Sequence, residues 1–333
     1  MATKQQIEQY ENTLQKTVAW ILTFRNPDGS FGDTSRRKTT QFKLPVALID
    51  NGRRSEALAH MNWLVKQTFT PEGDFADPRE GYHAAHWPYR NLWYIGGAHF
   101  LEMYEVTFPA WKYVLRFRDP HTGGLRAVSP YSDTNADPRQ NLILTAFLGL
   151  TGLRLGDLDV AEKAGDFLCD LIDAQPELDQ RFYLFWRPES GFVREVPEGD
   201  DRRWYWVERN GLDEDHYNLG MAMTGLSHLY KAFKKPRFLE GAQKVHQYFS
   251  TCREDRFGNV SAGKVMYGLT WMYTVTGDPR YLAEAEQSAN QIVQMQGTDG
   301  SFVQHGKPYL NIASEYALEL KQFIAVQRWV NGL

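Results

Sequence analysis

The sequence predicts an all-α fold, an (α/α)6 barrel of six inner and six outer helices, and three observations carry that prediction. A Gly-x-apolar turn recurs along the whole chain of 333 residues. A segment with helical spacing of apolar residues precedes each turn, and a more apolar helical segment follows it. Almost no β-like alternation is present. Similar helix pairs can also stack into an open solenoid, which is the alternative architecture.

The turns are NPDGSFG (Gly29, Phe31), TPEGDF (Gly73, Phe75), DPHTGGL (Gly123, Leu125), RPESGF (Phe192), EDRFGNV (Gly258, Val260) and GTDGSF (Gly300, Phe302). Ser190 stands where the fourth copy should have its first Gly, and the spacings between copies are 44, 50, 67, 68 and 42 residues. Forty-odd residues hold two helices and two connections; the longer intervals imply insertions. Pro and Asp favour the turn, Gly supplies a positive φ after the helix, and the apolar residue pins the turn to the core.

The predicted outer helices are 5–24, 55–67, 108–117, 159–173, 237–250 and 281–296, each amphipathic. The inner set is 40–50, 88–104, 138–154, 214–231, 261–276 and 312–330; ILTAFLGLTGL and GMAMTGLSHLY within it are apolar nearly all round. Gly96 and Gly97 in the second inner helix are expected to permit close packing. No Pro/Gly/Ser tract divides the chain, so it reads as one domain with a lid-like irregular insertion at about 175–212.

Composition narrows the function. Lys and Arg number 37 against 41 Asp and Glu, a net charge of −4, which argues against non-specific nucleic-acid binding. No apolar run is long enough for a membrane span, and the polar start MATKQQIEQYENTLQ lacks a signal-peptide core. Two cysteines, Cys169 and Cys252, have no metal-like spacing, so a cytoplasmic, metal-independent protein without a cofactor is expected. Nothing constrains the oligomeric state. Aromatics at 14% exceed what a modest core requires and point to a lined cavity that takes a small-molecule substrate.

The stretches TVAWILTFRNPDGSFGD and SANQIVQMQGTDGSF, with HMNWLVKQTFTPEGDF a weaker third, resemble the repeat of the terpenoid cyclase and protein prenyltransferase α/α toroid superfamily. The resemblance covers the chain as architecture and identifies a fold, not a reaction. Sugar hydrolases, lyases and epimerases share a similar barrel. The zinc ligands of protein prenyltransferases have no counterpart around Cys169 or Cys252.

In such a barrel the inner-helix N-termini ring one mouth, and their partial positive charge suits carboxylates and anions. The residues at those ends include Lys38, Gln41, His83, His86, Tyr89, Arg90 and Trp93. Asn135, Asp137, Arg139, Asn141, Asn259, Ser261, Lys264, Tyr309, Asn311, Glu315 and Tyr316 continue the ring. The densest stretch is GLDEDHYNLG, where Asp213, Glu214, Asp215 and His216 must perturb one another if partly buried.

A carboxyl kept protonated by its neighbours, beside a histidine, is what a general acid requires. Class II terpenoid cyclases carry Asp-x-Asp-Asp with the middle Asp as proton donor. Asp213, Glu214 and Asp215 match its first three places and His216 replaces the last, so the resemblance implies Asp215 as donor. The structural alternative is a helix cap by Asp213 with Glu214 and Asp215 favouring the dipole. Trp204 and Trp206 in the insertion, with Tyr217 on the helix, are expected to contact substrate, and His86 to assist as acid or base.

Three functions fit. The leading one is a cyclase or isomerase acting on an isoprenoid-like hydrocarbon, its cationic intermediates shielded by aromatic walls. The second is a carbohydrate-active enzyme, a glycoside hydrolase, lyase or epimerase on an oligosaccharide, using paired carboxylates or His and Tyr. The third is a non-catalytic binding module. An apolar cavity with one acid favours the first; a polar cleft with several carboxylates favours the second.

Overall fold

A computed structural model describes residues 2–35, 38–76, 87–127, 138–304 and 306–333. Among these residues the helices are α1 (Lys4–Leu22), α2 (Leu44–Asp50), α3 (Arg54–Thr68), α4 (Trp87–Phe100), α5 (Tyr104–Leu115) and α6 (Leu142–Leu155). They continue as α7 (Leu158–Asp173), α8 (Tyr217–Phe233), α9 (Pro236–Thr251), α10 (Ala262–Thr276), α11 (Pro279–Met295) and α12 (Leu310–Val330). The even-numbered helices are the apolar set: every residue of α4 from Trp87 to Ala98, and of α6 from Leu142 to Gly152, is buried. The odd-numbered ones bury one stripe, as α7 and α9 do.

Although no linker is legible, the chain divides into two compact units, Phe117–Gln291 and Ala2–Arg116 with Ile292–Leu333. In the first, α8 packs against α6, α9 and α10, and α6 against α7. Glycines set the closest of these approaches. A Cβ on Gly220 of α8 would stand 2.4 Å from the Lys264 carbonyl oxygen, and one on Gly268 of α10 the same distance from that of Gly220. In the second unit α12 packs on α1 and α2, and α2 on α3 and α4. The last helix therefore meets the first two, which an open solenoid would not allow. Gly97 of α4 fits against Pro45 of α2, where a Cβ would lie 2.8 Å from the proline ring, so this glycine of the pair serves packing.

Four of the six turns share one geometry. The Gly amide donates back to Asn26, Thr70, Asp119 or Gly297, at 2.9–3.0 Å. Gly29, Gly73, Gly123 and Gly300 have φ of 89°, 96°, 82° and 91°. Each is pressed on the backbone of the next outer helix. A Cβ would come within 2.8 Å of the Ala59 oxygen on α3, 2.3 Å of Pro109 on α5, 2.7 Å of Lys163 on α7 and 2.4 Å of Lys16 on α1. Phe31, Phe75, Leu125 and Phe302 then plug the core.

The fourth and fifth turns depart from this pattern. Gly191 lies against the Trp186 ring, and Gly258 has an ordinary negative φ with nothing nearer to its Cβ position than 3.5 Å. The insertion is also more regular than its sequence reading. It contains β2 (Arg181–Tyr183), β3 (Phe185–Arg187), β4 (Gly191–Phe192) and β5 (Trp206–Glu208), with β1 (Gln140–Asn141) just before α6. Antiparallel pairing joins β1–β3–β4 and β2–β5. These runs are two or three residues long, too short for alternation to register. A short β6–β7 pair (Val303–Gln304, Lys307–Pro308) precedes α12.

Several helix boundaries differ from the sequence reading by three or four residues, as at the starts of α2 and α6 and the end of α4, and two of them have clear local reasons. α5 starts at Tyr104, four residues before the predicted position, and carries Pro109 inside it, a residue that reads from sequence as a helix start. α8 starts at Tyr217, because Asp213 adopts a left-handed conformation, φ 52°, that ends the approach to the helix.

The seated glycines carry a prediction. Gly73→Ala forces a methyl onto the Pro109 carbonyl at positive φ and should destabilise by more than about 2 kcal/mol. Gly52→Ala, at a φ of 73° with open space around it, should cost only about 1 kcal/mol. Urea unfolding of the two variants beside wild type measures the difference.

Candidate active site

The three acids of the 213–215 stretch have three separate environments. Asp213 is exposed; its N–H donates to Asp255 Oδ2 at 3.0 Å and its carbonyl accepts from Arg203 Nη1 at 3.2 Å. Glu214 is fully buried, and its carboxylate takes both Arg202 nitrogens and the Glu208 N–H at 3.0 Å. A buried carboxylate left without a cation would be costly, so this pair accounts for Glu214 structurally.

Asp215 is the unusual one. It is 8% exposed, and burial pushes its carboxyl up from 3.8 to about 6. The Tyr217 hydroxyl, donating to Asp215 Oδ2 at 3.1 Å, and the nearby Arg203 charge oppose the rise; Asp201 and Glu214 reinforce it. Asn218 Nδ2 donates to the Asp215 carbonyl at 2.9 Å and the Tyr217 N–H to Ser261 Oγ at 3.2 Å, so the backbone on both sides is held. The Lys264 ammonium lies 5.5 Å from the Tyr217 ring centroid. A carboxyl that keeps its proton to near pH 6 can donate it.

The capping alternative does not describe this arrangement. His216 is the residue before α8, and no side chain caps the helix there. Asp213 hydrogen-bonds away from the helix, to Asn259 at 3.5 Å and through its N–H to Asp255. The His216 ring packs edge-on against Phe249 of α9 at 6.0 Å, and burial pushes it down to about 4. It is a neutral ring against the outer helix.

Other sequence candidates in the same unit take framework positions. Asn141 caps α6, accepting from the Leu144 N–H at 3.2 Å. Arg139 donates to the Tyr205 hydroxyl at 2.8 Å, lies over the Phe185 and Tyr205 rings, and Tyr205 in turn donates to Asp200. Trp206 is buried in β5 with its indole N–H on Glu208 at 3.2 Å, and Trp204 is half-buried in a 3-10 turn, Arg202–Trp204. A flank cavity of about 520 Å³, lined by Phe167, Leu171 and Trp186, does not include the Asp215 segment. Its carboxylates, Asp166 and Asp170, are already tied to Arg237.

In the other unit Arg90 is fully buried, donating to Thr39 Oγ1 at 2.6 Å and the Phe75 carbonyl at 2.7 Å and stacking over Trp87. Trp93 packs edge-on to Tyr89. Glu315 is ion-paired with buried Lys43, a residue that sequence reasoning passed over, and Glu319 is buried one turn on. Tyr316 lies edge-on to Phe302, its phenol pushed well up by burial and by Glu315 and Glu319. Tyr309 precedes α12, with its N–H on the Phe302 carbonyl at 2.9 Å. His83, His86, Asn135 and Asp137 lie outside the described residues. Among the described residues no group of three or more His, Cys, Asp or Glu could hold a metal, and no helix is long and apolar enough to cross a membrane.

Comparison with known proteins adds the chemical context. Residues 159–308, which include the whole Asp215 segment, match the family model of the β-L-arabinofuranosidase GH127 catalytic domain. No curated protein sequence matches the chain. A D-mannose isomerase superposes with a TM-score of 0.70 at 11% identity, covering 96% of this chain and 97% of that one. An unsaturated glucuronyl hydrolase specific for heparin gives 0.65 at 12%, covering 98% of both. A GH76 α-mannanase from Bacteroides thetaiotaomicron gives 0.62 at 14%, covering 97% of both. The fold is the α/α toroid that the repeats predict.

The leading functional expectation is corrected by these likenesses. The matching catalytic domain and the similar toroids belong to enzymes of sugars, and terpenoid-cyclase kinship rests on a turn motif that serves the fold. The charges acting on Asp215 agree physically: Arg203, Asp201 and Glu214 all bear on it, so the acid is one of several charged groups and not a lone carboxyl.

The raised Asp215 carboxyl has a measurable cost. The folded chain holds this proton more tightly than the unfolded chain, so the associated stability is present below about pH 4 and lost as pH rises through about 6. Asp215→Asn should therefore raise stability by roughly 2 kcal/mol near neutral pH and by little in acid, as read from denaturant midpoints at the two pH values.

Proposed function

We propose that this chain is a carbohydrate-active enzyme that cleaves a glycosidic bond, with Asp215 donating the proton to the departing sugar oxygen. The observation that carries this reading is the buried carboxyl held near pH 6 at the start of an apolar inner helix, with a hydroxyl donor on one oxygen. It falls inside the segment that resembles a glycosidase catalytic domain, which supports the assignment.

Glycoside hydrolysis needs a protonated carboxyl and a second carboxylate for water or for the anomeric carbon. Glu214 is committed to Arg202, which leaves exposed Asp213 as the second group within the stretch. Tyr217 serves the donor by orienting its carboxyl. The reading takes an oligosaccharide or glycoside as substrate and gives no direct chemistry to His216, whose ring faces Phe249.

The test is hydrolysis of aryl α-mannosides, aryl β-L-arabinofuranosides and unsaturated glucuronyl disaccharides, with free mannose as a further substrate, products being followed by NMR. Cleavage of one glycoside class, reduced at least about 100-fold in Asp215→Asn, is the expected result. Isomerised mannose with no glycoside cleaved would replace hydrolysis by sugar isomerisation, and an Asp215→Asn variant at full rate would sink the assignment of the acid.

The pH profile follows from the same carboxyl. Because the donor must be protonated, kcat/KM should fall as pH rises above about 6. Tyr217→Phe removes a bond that favours the charged carboxylate, so its alkaline limb should move to higher pH.

A further inference from the structure

The insertion between α7 and α8 grips the acid stretch at two adjacent points. Arg202 and Arg203 are neighbours in one 3-10 turn, whose start is capped by Asp201 accepting from the Arg203 N–H. Arg202 reaches the Glu214 carboxylate with both terminal nitrogens, and also lies 3.6 Å from Glu208 of β5. Arg203 donates to the Asp213 carbonyl from one terminal nitrogen while Asp201 holds its Nε and the other terminal nitrogen. One arginine thus fixes the side chain on the N-terminal side of Asp215, and the next fixes the peptide beyond it.

That peptide needs holding. Asp213 sits at a φ of 52°, a conformation that a residue with a side chain leaves readily unless its surroundings impose it. Asp255 takes its N–H from the other side, so Asp213 is pinned between the insertion and the segment before α10. The fourth turn of the repeat has no glycine seated on an outer helix; its place is taken by the β3–β4 pair, and the arginines follow it in the 3-10 turn before β5.

We propose that the Asp201–Trp204 turn is the positioning device of the active site, with Arg203 the residue that places Asp215 and Asp201 the residue that places Arg203. This rests on the reading of Asp215 as proton donor. Neither residue is assigned contact with substrate. The charged and titratable groups acting on Asp215 are Arg203, Asp201, Glu214 and Tyr217; Lys264 lies beside Tyr217, and Asp255 bonds the backbone at Asp213. Arg203 favours the charged carboxylate and Asp201 opposes it, but Asp201 also holds Arg203, so Asp201→Asn acts on the midpoint in two opposed ways and is read through kcat.

The experiment is a carboxyl 13C NMR titration of the full chain, with the Asp215 signal assigned by its loss in Asp215→Asn, combined with steady-state kinetics. Arg203→Gln should move the Asp215 midpoint up and lower kcat about tenfold at a pH well below that midpoint, with KM changed less than twofold. Asp201→Asn, which frees the Arg203 side chain, should lower kcat below the midpoint as Arg203→Gln does, and Arg203→Lys should keep the midpoint near its wild-type value. Each variant is first checked for a cooperative thermal transition. Since Arg202 would leave Glu214 buried and unpaired if replaced alone, it is tested only as the Arg202→Met, Glu214→Leu pair, which should fold and still lower kcat.

An unmoved midpoint in Arg203→Gln, or an unchanged kcat below the midpoint, overturns the proposal. Because the titration needs no turnover, it separates the two readings. Midpoints that move as stated in a protein whose Asp215→Asn variant keeps full activity would condemn the proton-donor assignment, and fixed midpoints with Asp215→Asn inactive would condemn the positioning turn alone.

Discussion

The interaction on which this architecture depends is a glycine with no room for a methyl. Four times a turn glycine at positive φ comes to rest on the main chain of the next outer helix, with the gap set by backbone atoms on both sides. Backbone cannot rotate out of the way as a side chain can, so the distance from one helix pair to the next is set rigidly within each unit. The apolar residue two places on then inserts into the core and fixes the angle at which the chain enters the following inner helix.

Rigid spacing of the helices fixes where the inner helices begin, and unusual side-chain environments gather at one of those beginnings. At the start of α8 the chain accepts a left-handed aspartate, a fully buried glutamate and a carboxyl held well above its usual range within three positions. Each of these runs against local preference, and a helix cap requires none of them. The Arg202–Glu214 pair neutralises the deepest of the three and leaves its neighbour Asp215 unneutralised.

Much of this was legible in the sequence because it is local. The turns announce themselves by Pro, Asp and Gly, and the apolar runs of α6 and α8 by composition alone. What escaped is long-range or short-run. Lys43 finds Glu315 across most of the chain length, and Arg203 reads as a loop residue that could stack on substrate until the structure shows it on the Asp213 carbonyl, with Arg202 on Glu214. The PDGSF motif also misled: it reports how outer helices are spaced, which sugar enzymes and terpenoid cyclases need alike, and says nothing of what the inner ends hold.

The two turns that lack a seated glycine are the fourth and fifth, which fall in the connections leading to α8 and α10. The scaffold is thus divided between positions whose geometry admits one residue and positions released from it. A chain built this way can exchange the loops over its chemistry, in length as well as in sequence, without disturbing the spacers that keep it folded. Tolerance for such exchange is accordingly confined to one stretch of the polypeptide.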